Sequence, residues 1–337
     1  MAKKKQKAKR RTMSLTALFL LLLLTAILLV SSTYAWFTAN QTVTISTLNV
    51  QVEATNGLQI SADGTTWKAV LTNDDINPAN VTKTYASAKN QIPTSMRPTS
   101  SAGATDTDGH LVIFGGDVQQ DSKGSYALVA PLLTDANGDT GNYIAFDCFL
   151  KVDQKTPIYL QGTNSKVTDD KNLANASRVA FVNEGTKDVS TDLATVQALN
   201  ASNAAKVTIW EPNCNLHSGA AITNALSTYG ISTTADATTA LSYRGVSSAI
   251  TLDDDVLLTG TDAGEDDTHF KEVKTADNLT LISTTATSTD NKQLWELDPG
   301  ITKVRIYMYV EGQDVDCENS ASGSNLSFDL QFTQLAS

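Results

Sequence analysis

Asp135, Asn137 and Asp139 alternate along the segment "DANGDTGN", which closes at Asn142. Oxygen side chains at alternate positions of a turn supply part of the roughly six to eight ligands that calcium takes. The segments "DTDGH", with Asp106 and Asp108, and "EGQDVDCEN", with Glu311, Asp314, Asp316 and Glu318, offer the same chemistry. The first loop departs from an EF-hand. Thr140 stands where that loop needs Gly, and Phe146 where it needs a bidentate Glu. The plainer alternative is a set of turns in which Asp and Asn side chains hydrogen-bond the backbone just after them. Calcium, on Asp135, Asn137 and Asp139, is the one cofactor put forward; otherwise none is expected.

The three cysteines are Cys148, Cys214 and Cys317. Cys214 and His217 form Cys-x-x-His, and Cys317 could join them, but two or three ligands fall short of a tetrahedral zinc site. A Cys214–Cys317 disulfide is the expectation for loops of an exported chain. Cys148 lies on an apolar strand face and reads as a small buried hydrophobe. His110, His217 and His269 are isolated, so there is no His-Glu-x-x-His zinc helix. No Gly-x-Ser-x-Gly elbow, phosphate-binding glycine loop or dinucleotide fingerprint occurs. The chain therefore reads as non-catalytic. Trp210 in "IWEPN" and Trp295 in "QLWEL" read as core aromatics, with sugar stacking the alternative.

The amino terminus governs where these residues work. Lys3, Lys4, Lys5, Lys7, Lys9, Arg10 and Arg11 precede a stretch from Leu15 to Val30 that carries no charge. These are the basic and hydrophobic regions of an export signal. Those 16 residues are short for a membrane span, whereas counting on to Phe37 gives 23, enough for a bilayer of roughly 30 Å. Two fates stand open. Residues 1–35 are a signal peptide, cut before Trp36 at the small residues Thr33 and Ala35. Otherwise a transmembrane helix over about residues 13–35 anchors the protein. In both, the basic cluster stays inside and residues 36–337 are exported to the cell surface or extracellular matrix.

Cleavage would change the charge balance. The whole chain has 25 Lys+Arg against 36 Asp+Glu, a net charge of −11. Without residues 1–35 it has 18 against 36, a net −18, which repels nucleic acid and anionic lipid.

Period-2 patterns frame the exported part. Val43 and Ile45 alternate with hydroxyl residues, the alternation slips once, and it resumes at Leu48, Val50 and Val52, predicting a bulge. "NYIAFDCFLKV" sets Ile144, Phe146, Cys148, Leu150 and Val152 on one face. "KVRIYMYV" predicts Val304, Ile306, Met308 and Val310 inward, with Arg305, Tyr307 and Tyr309 outward. "NLSFDLQFTQL" closes the chain with Leu326, Phe328, Leu330 and Phe332. Half-buried antiparallel strands give such patterns. Residues 161–292 are rich in Thr, Ser, Ala, Asn and Asp and read as long insertions, with short helices near Thr191–Leu199 and Ala220–Tyr229. The fold class is all-β, a jelly-roll-like antiparallel β-sandwich, with an N-terminal hydrophobic helix before it.

The junction "SSTYAWFTANQTVTISTLNVQV" resembles the TasA and camelysin group of bacterial surface and biofilm-matrix proteins, exported with a SipW-type signal peptide. Thr33, Tyr34, Ala35, Trp36, Phe37, Leu48 and Val50 carry the match. The segment "YMYVEGQDVDCENSASGSNLSFDLQF" resembles the close of Gram-positive surface proteins with the same signal. The resemblance implies a dedicated signal peptidase, a jelly-roll sandwich and assembly into extracellular fibres. The chain would then be a fibre subunit that self-associates by strand addition, with Thr42, Val43, Thr44 and Ile45 as the assembly strand. Gln41–Ile45 would pair between subunits while Leu48–Val52 stays in its own sheet. The rival expectation is a membrane-anchored adhesin or glycan-binding module.

Overall fold

Where β-branched and aromatic residues alternate with polar ones, the chain forms its longest strands. The computed structural model describes residues 43–53, 57–77, 84–120, 124, 126–201, 206–229, 232–235, 240–254, 256, 268–317 and 323–335. Residues 1–42 lie outside these, and with them the cleavage residues Thr33, Ala35 and Trp36, the assembly residue Thr42 and the hydrophobic helix. Among the described residues no helix is long and apolar enough to cross a membrane.

Two large sheets dominate. The first contains β1 (Val43–Val52), β3 (Val70–Thr72), β4 (Ser95–Met96), β11 (Thr156–Leu160), β12 (Lys166–Thr168), β18 (Lys292–Leu297) and β20 (Asn325–Thr333). The second runs β17-β14-β13-β19-β10-β2, from β17 (Leu279–Ser283) through β14 (Lys206–Glu211), β13 (Ser177–Lys187), β19 (Gly300–Val310) and β10 (Ile144–Val152) to β2 (Gln59–Ser61). Smaller sheets pair β5 (Thr99–Ser100), β6 (Ile113–Gly115) and β9 (Leu132–Leu133), then β7 (Asp117–Gln120) with β8 (Tyr126–Val129), and β15 (Arg244–Val246) with β16 (Phe270–Glu272). The helices are short: α1 (Asn73–Ile76), α2 (Leu193–Gln197) and α3 (Gly219–Tyr229). The protein is thus a β-rich, sandwich-like fold.

The main core lies between the inner faces of the two sheets. Ile144, Phe146, Cys148 and Leu150 meet Val304, Ile306 and Met308 there, and Leu326, Phe328, Leu330 and Phe332 face them. All of these are period-2 positions. Trp210 and Trp295 belong to the same core, as the sequence predicts. Trp295 packs edge-on against Phe181 at 5.7 Å.

Three expectations change. The pairing is not wholly antiparallel, because β1 runs parallel to β20 and β14 parallel to β17. Residues 161–292 are not only insertions, since β13 and β14 lie inside the second sheet. Within that Ser- and Thr-rich span "RVAFV" and "KVTIW" read as short scattered strands; they lie in β13 and β14, whose apolar residues are buried. Finally, β19 has no solvent face. Arg305, Tyr307 and Tyr309 are as buried as their inward neighbours, because a second apolar cluster with Leu111, Ile113, Tyr243 and Val273 covers that side.

Candidate functional site

A buried arginine on a central strand must find counter-ions, because an unpaired buried charge costs far more than a paired one. Arg305 of β19 finds two. Its Nη1 donates to Asp147 Oδ1 at 2.7 Å, and its Nε donates to Asp135 Oδ2 at 2.8 Å. Its Nη2 donates to the carbonyl of Lys89 at 2.7 Å. Tyr143 and Tyr307 donate to the two oxygens of Asp135 at 2.7 and 2.9 Å, and Tyr85 donates to Asp147. Burial alone would raise the Asp147 carboxyl, but Arg305 and Lys303 overcome it and hold it down at about 2. Lys303 Nζ lies 3.5 Å from Asp147 Oδ2. Burial raises the nearby Glu184 carboxyl to about 7. Asp147, Glu184, Lys303 and Arg305 line one cleft of about 250 Å3 with His110 and Asp108.

A second charged cluster sits at the other end of the same face. Arg178 of β13 donates to Asp314 Oδ2 at 2.5 Å and lies 3.1 Å from Glu211 Oε1. Its guanidinium stacks 5.0 Å from the centre of the Tyr243 ring. His217 Nδ1 meets Asp316 Oδ2 at 2.7 Å, a contact that raises the imidazole against its partial burial. Burial pushes Glu211 and Asp316 upward and takes Glu311 to about 7. Four carboxylates around one guanidinium and one imidazole leave negative charge unbalanced, and held protons offset it.

The third feature is a groove beside β1 of about 990 Å3, lined by Thr44–Asn49, α1, Ile92–Thr94 and the loop 137–139. On this side β4 pairs with Val43 and Thr44, and β3 with Asn49, Val50 and Gln51. Neither strand pairs with Ile45–Leu48, so that stretch of backbone faces the groove.

The expected site residues now fall into place. Val43, Thr44 and Ile45 are not a detached strand free to leave their own subunit. Thr44 and Ile45 pair with Asn325 and Leu326 of β20, and Val43 is buried. The predicted slip is real, a bulge between Ile45 and Thr47. The calcium trio separates: Asp135 turns inward to Arg305, whereas Asn137 and Asp139 are exposed at the groove. Among the described residues no three His, Cys, Asp or Glu side chains converge as a metal group. Asp106 caps its own turn, accepting from the amides of Asp108 and His110 at 2.9 Å each. Glu311, Asp314 and Asp316 turn inward toward Arg178 and His217. Glu318 lies outside the described residues.

The Cys214–Cys317 bridge is not formed, and all three cysteines are buried thiols. The His217–Asp316 contact does bring the two loops together. Cys317, however, enters the main core. Cys214 sits in a turn whose amide donates to the Thr284 carbonyl. The two thiols thus lie in different environments, one in the main core and one in a turn held to Thr284.

Sequence reasoning missed the Arg305 and Arg178 clusters. The available signal was an arginine and two tyrosines on one face of a strand whose other face is wholly apolar. No protein-family model matches the chain, and no curated protein or solved structure matches it.

Proposed function

We propose that this chain is a non-catalytic exported surface or matrix protein, a jelly-roll subunit that assembles into fibres by β-strand addition. The observation that carries this reading is the open backbone of Ile45–Leu48 between β3 and β4. An unpaired strand edge is a template for a strand of another chain, with main-chain hydrogen bonds giving the affinity. The partner is a second copy. A signal peptidase would act between Ala35 and Trp36, and the membrane would hold the chain through residues 13–35 until then. The location is the extracellular matrix or cell surface. The net charge of −18 left after cleavage does not suit nucleic acid.

The test is filament formation by the exported protein, viewed by electron microscopy. Ser46 and Thr94 are exposed and both line the groove. Ser46→Lys with Thr94→Lys should leave a folded monomer that no longer forms filaments, because lysines on an edge repel an added strand. Undiminished filaments from that variant, or a wild type that stays monomeric at high concentration, count against strand addition.

The second reading, a membrane-anchored adhesin or glycan-binding module, rests on the same groove, whose walls include Asn49, Asn73, Asn77 and Asn137. Amide side chains of this kind can hydrogen-bond sugar hydroxyls. An intact residue 1 on the surface protein, together with glycan binding by the monomer, would favour it.

A further inference from the structure

We infer that Lys303 and Asp147 join in an intramolecular amide, a covalent link between β19 and β10 that the protein makes itself, with Glu184 as the proton relay. The three side chains lie together in the cleft beneath the 197–200 loop. Asp147 stands opposite Arg305 in the β10–β19 ladder, so Lys303 is its diagonal neighbour on the same face. The amine is held in place. Its Nζ donates to the carbonyls of Gln197 and Leu199 at 3.1 and 3.0 Å and lies 5.9 Å from the centre of the Tyr85 ring. That ring packs edge-on against Phe149, which lies directly opposite Lys303.

Glu184 comes from the strand on the other side. β13 pairs Asn183 with Val304 and Gly185 with Lys303, which leaves Glu184 as the extra residue of a bulge. Bulges re-aim a side chain, and Gly185 at φ 115 supplies a backbone that L residues rarely adopt. The Glu184 carboxyl accepts from the Ala201 amide at 2.8 Å and lines the cleft. Its raised titration lets it give and take a proton near neutrality.

The reaction balances from the ion pair as it stands. Glu184 takes one proton from the Lys303 ammonium, and the resulting amine attacks Asp147 Cγ, so one C–N bond forms and the C–Oδ2 bond breaks. The ammonium loses two protons to the departing oxygen through Glu184, which ends as it began. The product is one amide and one water, with no change in net charge and no oxidant or co-reactant. Arg305 Nη1, 2.7 Å from Oδ1, faces the oxygen that becomes negative in the tetrahedral intermediate. Tyr85 donates to Oδ2, the oxygen that leaves. The cleft gives the water a way out.

The experiment is intact-mass spectrometry of the full-length chain, followed by sequencing of its tryptic peptides. The expected wild-type mass is one water below that of its sequence, counted from whichever N-terminus the peptides reveal. A branched peptide should join the Asp147 segment to the Lys303 segment. Glu184→Gln and Lys303→Arg should restore the full mass. A wild type of full mass, with separate Asp147 and Lys303 peptides after long incubation at about pH 7, overturns the proposal and leaves an ion pair only. A link that forms as readily in Glu184→Gln overturns the relay. The wild-type result decides the link even where a variant fails to fold, and it is independent of whether the protein forms fibres.

Discussion

Asp147 on β10 stands opposite Arg305 on β19, and their side chains, both buried, meet at 2.7 Å. Asp135 arrives from a loop to the same guanidinium. One arginine thus ties the central pair of strands to the layer that covers them. Arg305→Leu should destabilise the fold by about 3–5 kcal/mol, because the buried carboxylates, Asp135 and any Asp147 not yet linked to Lys303, are left without their cation. Urea unfolding measures this. A loss under about 1 kcal/mol would show that water enters the face and solvates them.

Protonation gives a second test. Glu184 and Glu311 have folded-state values raised to about 7, so the folded state holds protons that the unfolded chain releases. Their contribution is full below the ordinary glutamate value of 4.5 and is lost as pH rises through about 7. His217, also raised, loses its contribution in the same direction. Asp63, lowered to about 2, acts oppositely, with stability lost as pH falls from 3.8 through 2. The melting temperature should therefore peak near about pH 4–5 and decline toward about pH 8. A steady rise from pH 5 to pH 8 would contradict the assignment.

Much of the sandwich was legible because period-2 burial is a local property. Leu326, Phe328, Leu330 and Phe332 face the core from their own strand's alternation, and the slip before Leu48 shows as a bulge for the same reason. The candidate site was not legible, because what covers a strand's second face is decided far away in the chain. Tyr307 looks solvent-facing until the Leu111 amide donates to its hydroxyl at 3.1 Å, across 196 residues. Asp135 likewise resembles a calcium ligand beside Asn137 and Asp139. Only the fold shows that its oxygens belong to Arg305, Tyr143 and Tyr307.

That separation predicts how the protein responds to metal. With Asp135 committed to Arg305, the exposed pair Asn137 and Asp139 offers too few ligands for calcium. Adding calcium or a chelator should leave the melting temperature unchanged. A rise with calcium that disappears in Asp139→Ala would restore a cation to the 137–139 loop.

The last prediction separates the two roles of β1. The Thr44 amide donates to the Ser324 carbonyl at 2.9 Å, a bond to the residue just before β20 inside the same subunit. Thr44→Pro deletes that donor within an interior strand, where proline is poorly tolerated. It should cost about 1–3 kcal/mol of monomer stability, the penalty for a buried backbone acceptor left unsatisfied. Ser46 is different. It is exposed, lies at the bulge and carries no β20 partner. Ser46→Lys should therefore change stability by less than about 0.5 kcal/mol, as surface substitutions usually do. Paired urea titrations decide it. If Thr44→Pro unfolds no more easily than Ser46→Lys, β1 is not held by β20 at its start. The strand's first residues would then be available to a neighbouring subunit, and pairing at the open Ile45–Leu48 edge would no longer be needed to explain assembly.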